Sequence, residues 1–137
     1  MKKFGLLNSK ISSLVSNLGH QDLICISDAG LAIPNSLHKI DISLKENKPG
    51  LIEVLKIYTE NVFVEKIVLT NELKENCPKM FNEILEVFES IEVKLIDHLD
   101  FKEKIKESKG VIRTGEFTPF SNIILYTGVD QDKWKIK

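Results

Sequence analysis

Two imidazoles, a carboxylate and a carboxamide stand in polar loops of this chain. His20 follows Gly19, Asp28 opens Asp28-Ala29-Gly30, His98 follows Asp97, and Asn122 closes the polar run Arg113 to Asn122. These groups suit proton transfer on an uncharged small molecule. An imidazole titrates near neutrality and can give and take a proton within one cycle. A carboxylate and an amide supply the acceptors and donors that a hydroxyl-rich ligand needs. Each group also has a plainer reading. His20 could cap a helix end, where the dipole favours a cation. Asp28 could simply form a turn. Asp97 and His98 could make a surface pair, Asn122 could be a strand-entry residue, and Arg113 is expected to pair with Glu116 as a brace of its own loop. His38, in a period-two segment, reads as structural.

Other chemistries lack their residues. There is no G-x-G-x-x-G and no G-x-x-x-x-G-K-[ST], so no dinucleotide or nucleotide cofactor is expected. No His or Cys cluster has metal-ligand spacing. No Ser or Cys sits in a nucleophile elbow.

The elements that position these loops alternate in period. Asn8 or Ser9 can cap a helix with the stripe Ile11, Leu14, Val15 and Leu18, and Gly19 stands where a C′ glycine would end it. Leu23 to Ser27 reads as a buried strand, and Leu37 to Ser43 as a second. Leu51 to Asn61 is helical, with Leu51, Val54, Leu55 and Tyr58 on one face. Glu65 to Thr70 is a strand. Asn76 is expected to cap a helix with Pro78 in its first turn and Met80, Phe81, Ile84, Leu85 and Phe88 inward. Val93 to Ile96 is a strand, and Asp100 with Glu103 resembles a capping box. Gly110 to Ile112 and Ile123 to Tyr126 are strands flanking the polar loop.

Strands alternating with helices predict an α/β fold, three-layer α/β/α around a mostly parallel sheet, Rossmann-like but without a dinucleotide motif. Ligands of such sheets sit beyond the carboxyl ends of strands. Asp28, His98 and Thr114-Gly115-Glu116 all follow strands.

The 137 residues are the size of one domain, with residues 130–137 an exposed tail. A net charge of −1 gives no basic field for nucleic acid or an anionic membrane. No apolar run is long enough for a signal peptide or a membrane span. Two cysteines without a secretion signal read as reduced thiols in a cytoplasmic protein.

The loops, in this order, resemble the D-ribose pyranase family of sugar mutarotases. The likeness runs through Gly5-Leu6-Leu7-Asn8-Ser9, Leu18-Gly19-His20, Asp28-Ala29-Gly30-Leu31, Lys39-Ile40-Asp41, Val64-Glu65-Lys66, His98, Phe101-Lys102 and the long closing run Val111 to Pro119. It spans residues 1 to about 129. It implies a six-stranded α/β/α fold and interconversion of the pyranose and furanose forms of D-ribose without a cofactor. It implies a ring-shaped homo-oligomer, a decamer of two pentamers, with sites near subunit boundaries. His20 would be the proton donor; Asp28, His98, Phe120, Ser121 and Asn122 would hold the sugar. The sequence departs from the family at Phe120, where Tyr is common, and at Ala32, where Pro is. Fucose mutarotation and non-catalytic sugar sensing are the competing readings.

Overall fold

The computed structural model describes residues 1–136. Six strands form one sheet: β1 (Leu23–Ser27), β2 (Lys39–Asp41), β3 (Val64–Thr70), β4 (Glu92–Ile96), β5 (Gly110–Arg113) and β6 (Ile123–Thr127). Their order is β2-β5-β1-β6-β3-β4. β6 runs antiparallel to β1 and β3, and every other pairing is parallel. The fold is α/β with a mostly parallel sheet, as the alternating pattern predicts.

Side chains alternate across the sheet, and the two faces differ in weight. Ile24, Ile26, Ile67, Leu69, Ile112, Ile123 and Leu125 point into the larger core, beneath α1 (Ser9–Ser16), α2 (Leu51–Asn61) and α4 (Pro78–Val87). Leu23, Cys25, Val68, Val111 and Ile124 point to the smaller core, closed by Phe101 of α5 (His98–Lys104) and Ile105 of the 3-10 turn after it. Helices thus cover both faces. In α2 the buried residues are Leu51, Val54, Leu55 and Tyr58, the face that the helical period predicts. Each such side chain contributes roughly 1.5–3 kcal/mol on burial, enough to hold a helix whose N-cap, Gly50, offers no side chain. α4 buries Met80, Phe81 and Ile84, and Pro78 sits in its first turn as expected.

Several local expectations need correction. Asn17, not Gly19, closes α1, because its amide bonds back to Leu14 and Val15 before the chain reaches the glycine. The second strand is only Lys39–Asp41. Asn76 does not cap α4. It ends a separate short helix, α3 (Asn71–Asn76), which Thr70 caps through Oγ1 on the Leu73 amide at 3.1 Å. Asp100 is inside α5, which begins at His98. The first amide of the helix, that of His98, donates instead to Glu72 Oε2, at 2.8 Å. Residues 131–136 are exposed, as the charged composition suggests. Among the described residues, no helix is long and apolar enough to cross a membrane, and both cysteines are free.

Candidate functional site

Asp28 follows β1, His98 follows β4, and Phe120-Ser121-Asn122 precede the antiparallel β6. All five therefore stand at the carboxyl end of the parallel strands. The chain fixes them through one another. Asn122, fully buried, accepts the Asp28 amide on its side-chain oxygen at 2.8 Å. Asp28 Oδ1 accepts the Gly30 and Leu31 amides at 3.0 and 2.9 Å, an Asx turn that folds the loop over β1. Burial raises the Asp28 carboxyl above its ordinary value. The amides of Gly30, Leu31 and Ser121 and the charge of His98 act against that rise. The net effect is a buried carboxyl that holds its proton more tightly than a surface one.

Phe120 holds His98 from the other side. Its ring lies edge-on to the imidazole, centroids 5.1 Å apart and planes at 84°. The backbone there is unusual: Phe120 has φ of 60°, in the left-handed region. That conformation costs an L-residue roughly 1–2 kcal/mol, and such strain clusters where a site over-determines the chain. The Asn122 amide bonds the Phe120 carbonyl at 2.9 Å and closes the tight turn. His98 Nδ1 and Glu72 Oε1 are buried without hydrogen-bond partners among the described residues. Sequence reasoning missed Glu72; no local signal marks a carboxylate that acts 26 residues away.

The first half of the Arg113 to Asn122 loop is tied into the surrounding structure by its own side chains. Arg113 does not pair with Glu116. Its guanidinium bonds Asp41 at 2.8 Å, together with Ser43 and the Ala29 carbonyl. These contacts hold the Asp41 carboxyl below its ordinary value, the Ser43 hydroxyl contributing most. Glu116 is free to supply the cap that Gly50 lacks: Oε1 accepts the Leu51 amide at 3.0 Å and Oε2 the Thr118 amide at 3.2 Å. Gly115 lets the 45–49 loop dock. A Cβ there would stand 2.5 Å from the Lys48 carbonyl oxygen.

A depression of ≈ 320 Å³ opens beside Asp28, lined by Ala29, Gly30, Arg113, Glu116, Phe117 and Pro119. A larger apolar one, ≈ 360 Å³, lies between the N-terminal segment and α2. Its lining is mostly aliphatic, with Asn8, Glu53 and Tyr58 its only polar side chains, so it is a poor match for a polyol. Among the described residues, no group of three His, Cys, Asp or Glu is arranged to hold a metal.

His20 is elsewhere. It precedes β1 and so lies at the amino end of the parallel strands. Five strand residues at about 3.3 Å each put roughly 17 Å of sheet between it and Asp28. There it occupies a turn whose next residue, Gln21, has φ of 68°; the Asp22 amide bonds the Gly19 carbonyl, and the Gln21 amide bonds Thr127 at the end of β6. His20 Nε2 is 2.9 Å from Glu65 Oε2 at the start of β3. One chain brings together Asp28, His98, Phe120, Ser121 and Asn122, but not His20.

A sequence model of the RbsD / FucU transport protein family matches residues 1–130. A D-ribose pyranase of Streptococcus agalactiae is 46% identical over 130 residues, covering 94% of this chain and 98% of the relative. The structure of Bacillus subtilis RbsD complexed with D-ribose superposes with a TM-score of 0.92 at 40% identity, over 95% of this chain and 99% of that one. A Streptococcus pneumoniae fucose mutarotase in complex with L-fucose shares the fold, with a TM-score of 0.79 at 19% identity over 95% and 99% of the two chains.

Proposed function

The chain belongs to the RbsD / FucU family, and on that premise we propose that it is a D-ribose pyranase, an isomerase that interconverts the pyranose and furanose forms of the sugar. The observation that carries this reading is the buried cluster at the carboxyl end of the sheet, Asp28 with its raised carboxyl beside His98, Ser121 and Asn122. Identity of 46% to a pyranase, against 19% to a fucose mutarotase, favours ribose over fucose.

The chemistry is two coupled proton transfers, run twice. Opening the pyranose breaks the bond from the anomeric carbon to the ring oxygen. The ring oxygen receives a proton as the anomeric hydroxyl loses one, leaving an aldehyde. Closure to the furanose adds a different hydroxyl to that carbon, which loses its proton as the carbonyl oxygen gains one. No electrons leave the sugar, so no redox partner is needed. Assistance of this kind gives about 10²–10⁴-fold.

Within one chain the groups divide this work unevenly. Asp28 and Asn122 receive the hydroxyls, and the Phe120 ring offers an apolar face to carbon-bound hydrogens. His98 stands close enough to Asp28 for its charge to oppose the rise of that carboxyl. His20, the candidate proton donor, faces solvent at the far end of the sheet. It reaches a sugar only if a second copy of the chain presents it to this copy's Asp28 cluster. We therefore read the working site as shared between copies, in keeping with the decamer of two pentameric rings that the resemblance implies. The reading extends to a cytoplasmic location, which the two free thiols fit.

Saturation-transfer NMR on D-ribose tests the reading. Faster pyranose–furanose exchange with added protein, lost in His20→Ala, is the expected result. Binding of ribose without faster exchange would make the protein a sensor, and a preference for L-fucose would move it to the other branch of the family.

A further inference from the structure

A defect in the sheet sets a carboxylate beside His20. β3 and β6 pair with Val64 opposite Thr127 and Lys66 opposite Tyr126, so β3 advances two residues while β6 advances one. Glu65 is the extra residue. In a regular strand, residues two apart share a face. Here Val64 packs against the larger core, while the Lys66 ammonium lies 5.0 Å from the Tyr126 ring, which packs on the smaller one. A bulge re-aims the side chain it carries. This one takes Glu65 out of the alternation, and its Oε2 comes to 2.9 Å from His20 Nε2. His20 is held from its own side by the Gly19–Asp22 turn, which is tied to the end of the same strand β6. The bulge and the turn thus converge on one contact.

We propose that Glu65 is a positioning residue for the reaction. It takes the hydrogen bond of His20 Nε2–H and leaves Nδ1 as the nitrogen that gives and takes the proton. This rests on the reading of His20 as acid/base and adds which atom acts. A neutral imidazole has one N–H and one lone pair, and the partner of one nitrogen decides which is which. A carboxylate only accepts, so Nε2 carries hydrogen and Nδ1 carries the lone pair. When the ring is protonated, Nδ1–H is the donor and the Nε2–H bond to Glu65 persists. The proton enters and leaves at Nδ1. Glu65 also fixes the ring plane, so Nδ1 points to whatever approaches the exposed side of the turn.

Two measurements on the full-length protein test this. The first is the tautomer of His20 in the wild type, read from long-range ¹H–¹⁵N NMR of the imidazole. A single Nε2–H tautomer is expected; an Nδ1–H tautomer or an even mixture overturns the proposal, and the reading needs no variant to fold. The second is the ribose exchange assay on two variants of Glu65. Glu65→Ala should lower kcat by about 10- to 100-fold, the order seen when a group that orients a reactive residue is lost, with KM for D-ribose within about twofold. Glu65→Gln, whose amide oxygen accepts the same bond, should recover part of that loss. A Glu65→Ala variant that keeps the wild-type kcat overturns the proposal, and so does a Glu65→Gln variant no more active than Glu65→Ala. A wild-type protein that fails to speed exchange overturns the reading of the site and this role with it. Wild-type exchange with a mixed tautomer overturns this inference alone.

Discussion

Replacing Phe120 by Gly and by Ala separates the strain at the site from the ring that the strain presents. Phe120 has φ of 60° and packs edge-on against His98 at 5.1 Å. Both substitutions lose the aromatic contact, about 0.5–1.5 kcal/mol. Alanine keeps the left-handed strain of roughly 1–2 kcal/mol. Glycine removes it, but adds backbone freedom to the unfolded chain worth about 0.5–1 kcal/mol. The difference leaves Phe120→Gly about 0.5–1 kcal/mol more stable than Phe120→Ala. At a urea slope near 2 kcal/mol/M, that is a midpoint shift of about 0.3–0.5 M. The assay is urea unfolding of the two variants at one protein concentration, since assembly shifts apparent stability. Ribose exchange should fall in both, because neither restores the ring against His98. An alanine variant equal to or more stable than the glycine variant would refute the strain. A glycine variant with wild-type exchange would remove the ring from the site.

Asn122→Ala leaves the buried Asp28 amide without its acceptor and should cost about 1–3 kcal/mol of stability, with weaker ribose binding. A urea midpoint equal to wild type would show that the bond is replaceable. Glu116→Ala orphans the Leu51 and Thr118 amides and should cost about 1–3 kcal/mol. Glu116→Gln, keeping one acceptor, should cost visibly less, and equal losses would count against the cap. Asp28 has its carboxyl raised by burial, so the folded state holds the proton more tightly than the unfolded chain does, and stability falls as pH rises from 3.8 through the folded-state value. Asp28→Asn lacks this titration. Its stability relative to wild type should be greatest at pH 7 and shrink towards pH 4, and a gap that widens on acidification would reverse the sign. Chelation by EDTA should leave ribose exchange unchanged; loss restored by zinc or magnesium would show a metal in the chemistry.

The parts of the fold legible in the sequence are those set by local period. The α2 and α4 faces follow the helical repeat, and β1 reads as a buried run because all five residues are buried. α3 has six residues and buries only Leu73, too little to leave a period. The caps that matter most are long-range. Glu116 caps α2 from 65 residues away and Glu72 the first amide of α5 from 26, while Arg113 finds Asp41 across 72. No window along the chain contains them. The strand-end rule pointed to Asp28 and His98, each of which follows a parallel strand. Phe120 to Asn122 precede β6, whose antiparallel direction no local pattern reveals, and the family resemblance, not the rule, assigned them to the sugar. The same rule bears on His20, since a residue that precedes a parallel strand lies at the sheet's other end. Glu65 was hidden because a bulge breaks the alternation by which a strand is read.

If the working site takes Asp28 from one copy and His20 from another, two inactive variants must rescue each other. His20→Ala and Asp28→Asn are each expected to lack ribose exchange. Mixed in equal amounts and allowed to exchange subunits, they should regain about a quarter of the wild-type rate, since random pairing gives each site an intact Asp28 with probability about one half and an intact His20 likewise. Mass spectrometry of the mixed oligomers confirms the exchange. Recovery to about that level is the predicted result; mixed oligomers with no more activity than the separate variants would contradict it.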